Sequence, residues 1–74
     1  MAHIIETIDT VGMHGTDEEI DELLEGYADN IRALLPEGVT FDVRRGGSDK
    51  AAYLELEALG IDQRAREDAW ERAL

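Results

Sequence analysis

Residues 17–35 carry the feature that most constrains the fold, because apolar residues recur there with the spacing of one helix face. Spacings of three and four residues form the stripe of an amphipathic helix. The stripe consists of Ile20, Leu23, Leu24, Tyr27, Ala28, Ile31, Leu34 and Leu35. Thr16 and Glu19 match a capping box at its start, while Pro36 and Gly38 mark its end. A stripe of this length must be covered by other apolar surface, so we expect a folded core around the helix.

Two segments on either side of this helix have the composition of β-strands. Residues 3–9 are rich in β-branched side chains, and residues 39–45 alternate apolar and polar side chains. Alternation places successive side chains on opposite faces of a strand. One face of the second strand is predicted to carry Val39, Phe41 and Val43, and the other Thr40, Asp42 and Arg44.

Residues 51–59 fit either a strand or a helix. As a strand, they place Ala52, Leu54, Leu56 and Ala58 on one face and Tyr53, Glu55 and Glu57 on the other. On a helical wheel Glu55 falls among the apolar residues, so the strand is favoured. It would pair with residues 39–45 as a hairpin across the turn Gly46-Gly47-Ser48-Asp49.

The alternative for this segment is a helix over residues 49–59, which gives a mostly α domain. Ala, Leu and Glu favour helix, and Gly60 suits a helix C-cap. Asp62 is suited to cap a further helix that runs to Leu74. The favoured order is β-α-β-β-α, an α+β fold of two layers with two helices on one face of a three-stranded sheet. Residues 1–74 are predicted to form one small acidic domain.

The charge of the chain is strongly negative and unevenly distributed. Eighteen acidic and seven basic residues give a net charge of -11. Residues 1–42 contain 11 of the acidic residues and one basic residue, Arg32. This excess argues against direct binding to nucleic acid or to an anionic membrane surface. No apolar run is long enough to span a bilayer, and no secretion signal is evident, so a cytoplasmic location is expected.

The acidic residues of the main helix are predicted to form a surface opposite its apolar stripe. Glu18, Glu22, Glu25 and Asp29 share one line, with Asp17 and Asp21 beside it. A row of carboxylates on a rigid helix imitates the spaced charge of a nucleic-acid backbone. We therefore expect it to bind a basic, nucleic-acid-binding surface of a partner protein, as an inhibitor of the kind found in phages or mobile elements. The alternative is that the charge serves solubility alone.

A second candidate interface is the polar face of the predicted sheet. It consists of Thr40, Asp42, Arg44, Tyr53, Glu55 and Glu57. Together with Trp70, this face would make the protein a small structural or regulatory subunit. A second copy of the chain is a further candidate partner, because a core of this size is marginal and a homodimer would cover leftover apolar surface.

The sequence lacks the parts of a catalytic or metal site, so neither an enzyme nor a cofactor is predicted. There is no cysteine, and the one serine, Ser48, lies in a turn sequence. His3 and His14 have no metal-ligand spacing. The basic segment from Arg44 to Lys50 lacks the pattern of a phosphate-binding P-loop and is expected to be a solvated turn.

Overall fold

The sheet contains two strands that run parallel and are joined by a helix. The computed structural model describes residues 2–47 and 50–74. The elements are β1 (Ala2–Ile8), α1 (Asp17–Arg32), β2 (Val39–Arg45), α2 (Ala51–Ala58) and α3 (Gln63–Ala73). Strands β1 and β2 pair in register from Ala2 opposite Val39 to Ile8 opposite Arg45. Because parallel neighbours need a crossover, α1 carries the chain from the end of β1 to the start of β2.

The predicted third strand is wrong, and with it the three-stranded sheet and the hairpin. The segment forms α2 instead, so residues 2–47 and 50–74 form a small α+β domain of two parallel strands and three helices. Its buried residues are Ala52 and Leu56, four positions apart, whereas Leu54 is 70% exposed. A helical wheel places Glu55 among apolar residues, but not all of those apolar residues are buried. Only a narrow face is buried here, and Glu55 lies outside it among exposed residues. Ser48 and Asp49, part of the predicted turn, lie outside the described residues.

The end of α2 explains why the helix is stable at this place. The amide of Gly60 donates to the carbonyl of Glu57 at 2.9 Å, and the amide of Ile61 donates to the carbonyl of Leu56 at 2.9 Å. These two bonds form a Schellman motif, and Gly60 supplies the positive φ of +86° that the motif requires. The motif also buries Ile61 in the core.

The predicted start of α1 is confirmed, and its end comes earlier than expected. The Thr16 hydroxyl accepts from the Glu19 amide at 3.2 Å, and the Glu19 carboxylate accepts from the Thr16 amide at 3.2 Å. The helix ends at Arg32, and residues 33–35 continue as turns. Pro36 keeps Leu35 out of the helix, because the residue before a proline avoids helical backbone angles.

The core lies on one face of the sheet. Ile4 of β1, Phe41 of β2, Ile31 of α1 and Leu56 of α2 are its largest fully buried side chains. Helix α3 packs against α1, where Asn30 donates to the Ala69 carbonyl at 2.8 Å. The other face of the sheet carries exposed or half-buried side chains only: His3, Ile5, Thr7, Thr40, Asp42 and Arg44. No helix in the described part of the chain is both long and apolar enough to cross a bilayer.

Candidate functional site

The acidic side chains predicted as a binding surface lie together on the exposed side of α1. We call this set the acidic face. It consists of Asp17, Glu18, Asp21, Glu22, Glu25 and Asp29, all of which are exposed. The opposite side of the helix buries Ile20, Leu24, Tyr27, Ala28 and Ile31. Helical spacing therefore separates the charged and apolar residues as the sequence pattern requires.

Arg45 pairs with two carboxylates in the first part of the acidic face. Its guanidinium lies 3.1 Å from the Asp17 carboxylate and 2.9 Å from that of Asp21, and it donates to the Asp17 carbonyl at 2.8 Å. Arg45 belongs to the basic segment that was expected to be a solvated turn. The end of β2 instead brings this arginine against the acidic helix of its own chain.

Arg32 plays the same part at the other end of the acidic face. Its Nη1 atom lies 2.7 Å from Glu25 and 2.8 Å from Asp29, while Nη2 lies 3.1 Å from Asp42 of β2. Its Nε atom donates to the Phe41 carbonyl at 2.9 Å. These contacts fasten the last turn of α1 to the second strand.

Glu18 and Glu22 are the two carboxylates of the acidic face that pair with neither arginine. Neither carboxylate forms an ion pair with any residue in 2–47 or 50–74. They stand four residues apart, about 6 Å along the helix axis. Each arginine thus offsets part of the charge of the carboxylates that it contacts, whereas Glu18 and Glu22 keep their full charge.

The second predicted interface does not form one surface. Thr40, Asp42 and Arg44 lie on the outer face of the sheet, but Tyr53, Glu55 and Glu57 belong to helix α2. The physical reason is the helix itself, because a segment that satisfies its own backbone bonds does not extend the sheet. Trp70 is half-buried and packs edge-on against Tyr27, with ring centroids 5.5 Å apart.

The two histidines lie apart and have no shared site. His3 hydrogen-bonds Thr40, and its Nε2 atom is 3.3 Å from the Asp42 carboxylate. His14 is exposed in the loop before α1. Among the residues that the structure describes, no three His, Asp or Glu side chains form a group suited to a metal ion.

A cavity that the sequence analysis missed lies beside the end of β1. Its volume is about 670 Å³. We call it the Glu6 cavity after the carboxyl group at its base. It is lined by Glu6, Thr7, Ile8, Asp9, Tyr27, Tyr53, Gln63, Arg66, Glu67, Trp70 and Glu71. Residues from β1, α1, α2 and α3 therefore meet here, and α2 contributes Tyr53.

Glu6 is a buried carboxyl group held by a buried tyrosine. It is 4% exposed and Tyr27 is 3% exposed, and the Tyr27 hydroxyl donates to Glu6 Oε1 at 2.8 Å. Burial raises the pKa of Glu6, although the Tyr27 hydrogen bond and the Arg66 charge oppose the rise. Burial and the neighbouring carboxyl raise the pKa of Tyr27, so its hydroxyl remains a donor.

One aromatic wall of the cavity, Tyr53, is in contact with a cation of the protein itself, Arg66. The Arg66 guanidinium lies over the Tyr53 ring, 4.6 Å from its centre. Gln63 donates to the Glu67 carboxylate at 3.0 Å on the neighbouring turn of α3. The rim thus combines aromatic faces, carboxylates and one guanidinium.

One sequence signal was available for this site. Glu6 stands two residues from both Ile4 and Ile8, so strand alternation places a carboxylate on the apolar face of β1. A charge on the buried face of a strand needs a partner, and such groups are candidates for function. The partners Tyr27 and Arg66 are distant in sequence and give no local signal.

Comparison with known proteins finds no matching family, no matching curated protein and no matching solved structure. The contacts and charges described above are therefore the basis for assigning a function.

Proposed function

We propose that the protein is a non-enzymatic binding module whose acidic face engages a basic surface of a partner protein. The observation that carries this proposal is the exposure of six carboxylates on one side of α1. A capped helix on a packed core presents these charges in a fixed geometry. Charge presented in this way steers association and sets specificity.

Glu18 and Glu22 are the centre of the proposed contact. Their charges have no ion pair in the described residues, so a lysine or arginine of the partner meets them without displacing another group. The carboxylates at both ends are paired with Arg45 and Arg32. Exposed ion pairs of this kind contribute little to stability, so a partner can exchange with them at little cost.

The partner proposed is a protein whose basic surface binds nucleic acid. A regular row of carboxylates would compete with phosphates for that surface, in the manner of phage or mobile-element inhibitors. This mode of binding predicts an affinity that falls steeply with ionic strength. A cytoplasmic location is part of the same proposal.

The test is affinity capture from the native host with three baits at low salt. The first is the wild type, the second is Glu18→Gln/Glu22→Gln, and the third is Glu55→Gln/Glu57→Gln. The two variants have the same net charge, and Glu55 and Glu57 are exposed on α2. Captured proteins are identified by mass spectrometry, and circular dichroism checks that each bait is folded.

We expect a protein that the wild type and the α2 variant retain and that the α1 variant loses. Added duplex DNA or NaCl should release this protein from the wild-type bait. If all three baits retain the same proteins equally, the acidic face is not the binding surface. If a retained protein resists both DNA and salt, the electrostatic mechanism is wrong.

The second candidate function is a structural or regulatory subunit that binds through the outer face of the sheet. It is favoured by the polar and half-buried side chains on that face, because parallel sheets are usually covered on both sides. Trp70 was expected to contribute, but it lines the Glu6 cavity on the helical side. Binding at this face would change little with salt, which separates the two candidates.

A further inference from the structure

The Glu6 cavity is separate from the acidic face and has the dimensions of a ligand site. Its volume of about 670 Å³ falls within the roughly 300–1,000 Å³ typical of small-molecule sites. Three aromatic side chains, Tyr27, Tyr53 and Trp70, provide apolar contact area around the buried carboxyl group. Both the size and the mixture of apolar walls with a few polar groups are typical of binding pockets.

The charges that line the cavity favour a cation. Four carboxyl side chains line it, from Glu6, Asp9, Glu67 and Glu71, against one cation, Arg66. An anionic ligand would meet an excess of negative charge at short range. A cation gains from the same field.

The aromatic walls match an organic cation better than a metal ion. Tyr53 already accepts a guanidinium on its face, 4.6 Å from the ring centre. Guanidinium and ammonium groups are attracted to aromatic faces, whereas hard metal ions require several oxygen ligands. No group of three possible metal ligands occurs in the described parts of the chain.

Glu6 has one oxygen available for such a ligand. Tyr27 donates to Oε1 at 2.8 Å, and Oε2 forms no hydrogen bond with the residues that the structure describes. Every fully buried side-chain oxygen in these residues has a hydrogen-bond partner. Because Oε2 has none, it is not fully buried and remains accessible from the cavity. An acceptor almost wholly removed from water gains most from a charged donor.

We propose that the Glu6 cavity binds an organic cation, a guanidinium or primary alkylammonium group, with Glu6 as its acceptor and Tyr53 and Trp70 as its aromatic walls. Tyr27 positions the Glu6 carboxylate. Arg66 occupies part of the same site and competes with the ligand for negative charge. A free small molecule and an arginine or lysine side chain of another protein present the same group.

Trp70 provides the measurement, because it is the single tryptophan of the chain and lines the cavity. Its fluorescence is followed during titration with three probes, and calorimetry gives the dissociation constants. n-Butylguanidinium represents a free cation with a single charge, and Nα-acetyl-arginine methylamide represents an arginine side chain. Nα-acetyl-citrulline methylamide has nearly the same shape without the charge.

Two substitutions with opposite expected effects test the assignment. Glu6→Gln should weaken binding of the cationic probes by about tenfold or more, since a hydrogen bond to a charged group contributes about 1.5–3 kcal/mol. Arg66→Gln should strengthen binding because it removes the competing guanidinium. Glu55→Gln and Arg64→Gln are the matched controls, since both residues are exposed and lie outside the cavity lining.

The outcomes separate the proposal from nonspecific charge attraction. Binding of either cationic probe, weak binding of the citrulline probe and opposite effects of the two substitutions support it. Preference between n-butylguanidinium and the arginine probe, which carry the same charge, identifies a free ligand or a protein side chain as the source. Equal binding of the charged and neutral probes, or equal effects of each variant and its control, overturns it. Circular dichroism confirms that every variant is folded.

Discussion

At the scale of single residues, Glu6 is the side chain with the most unusual surroundings. It lies on the core face of β1, two residues from the fully buried Ile4. Burying a carboxylate is costly unless hydrogen bonds and charges compensate. Tyr27 supplies the hydrogen bond and Arg66 a favourable charge, but burial still raises the pKa of Glu6. A raised pKa means that the folded state holds the proton more tightly than the unfolded chain does.

The first prediction concerns the pH dependence of stability. The unfolded chain releases the Glu6 proton near the ordinary value of 4.5, whereas the folded protein releases it at higher pH. The contribution of Glu6 to the free energy of unfolding is therefore fully present below 4.5 and is lost as pH rises through the folded pKa. Glu6→Gln lacks this loss, so its stability relative to wild type should increase from pH 4 to pH 7 in urea denaturation.

Glu55→Gln is the control for this measurement, because Glu55 is exposed on α2. Its stability difference from the wild type should stay nearly constant over the same range. A Glu6→Gln variant that loses stability relative to the wild type between pH 4 and pH 7 would show that the buried carboxylate is favourable. The raised pKa would then be wrong.

At the scale of elements, α2 decides the architecture. As a strand it would have extended the sheet, but as a helix it closes the core with Leu56 and brings Tyr53 to the Glu6 cavity. Its composition of Ala, Leu and Glu already favoured helix, and Gly60 supplied the Schellman end. The alternation of Leu54 and Leu56 with glutamates nevertheless favours a strand at the level of sequence. That alternation has no structural role here, since Leu54 faces solvent.

The second prediction tests this helix with two leucines that a strand would place on one face. Leu56 is fully buried and Leu54 is 70% exposed. Leu56→Ala should lower the free energy of unfolding by about 2–5 kcal/mol because it leaves a cavity in the core. Leu54→Ala should change it by less than about 0.5 kcal/mol. Chemical denaturation of the two variants measures both, and similar losses in each would favour the strand.

At the scale of the whole molecule, the excess negative charge is concentrated on one face and partly paired with arginines. Arg45 and Arg32 sit at the two ends of the acidic face and link α1 to β2. The net charge of -11 nevertheless remains, and self-repulsion destabilises a compact state. Glu18 and Glu22, a like-charge pair four residues apart with no ion pair in residues 2–47 and 50–74, are the clearest local source of this repulsion.

The third prediction follows from this imbalance. Raising NaCl from about 0.02 to 0.5 M shortens the Debye length to a few ångströms. The added salt then screens the repulsion between carboxylates, so Tm should rise by a few degrees. Glu18→Gln/Glu22→Gln should reduce this dependence more than Glu55→Gln/Glu57→Gln, which has the same net charge. Calorimetry at several salt concentrations measures both slopes. A Tm that falls with salt would mean that the ion pairs of Arg32 and Arg45 outweigh the repulsion.

Much of the local structure could be predicted because its causes lie within a few residues. The capping box of Thr16 and Glu19, the cap at Asp62 and the bounds of β2 all match the structure. The exposed position of the acidic face also follows from helical periodicity. These features depend on backbone hydrogen bonds and on the spacing of side chains along one element. The local sequence determines both.

The contacts between elements depended on packing that no local pattern encodes. Periodicity could not tell that the two strands are parallel, that Leu54 remains exposed, or that Arg45 meets the acidic helix. The Glu6 cavity is the clearest case, because its lining comes from four elements separated by up to 65 positions, from Glu6 to Glu71. Chain spacing determines which face of an element is apolar, whereas the three-dimensional fit of those faces determines which side chains meet.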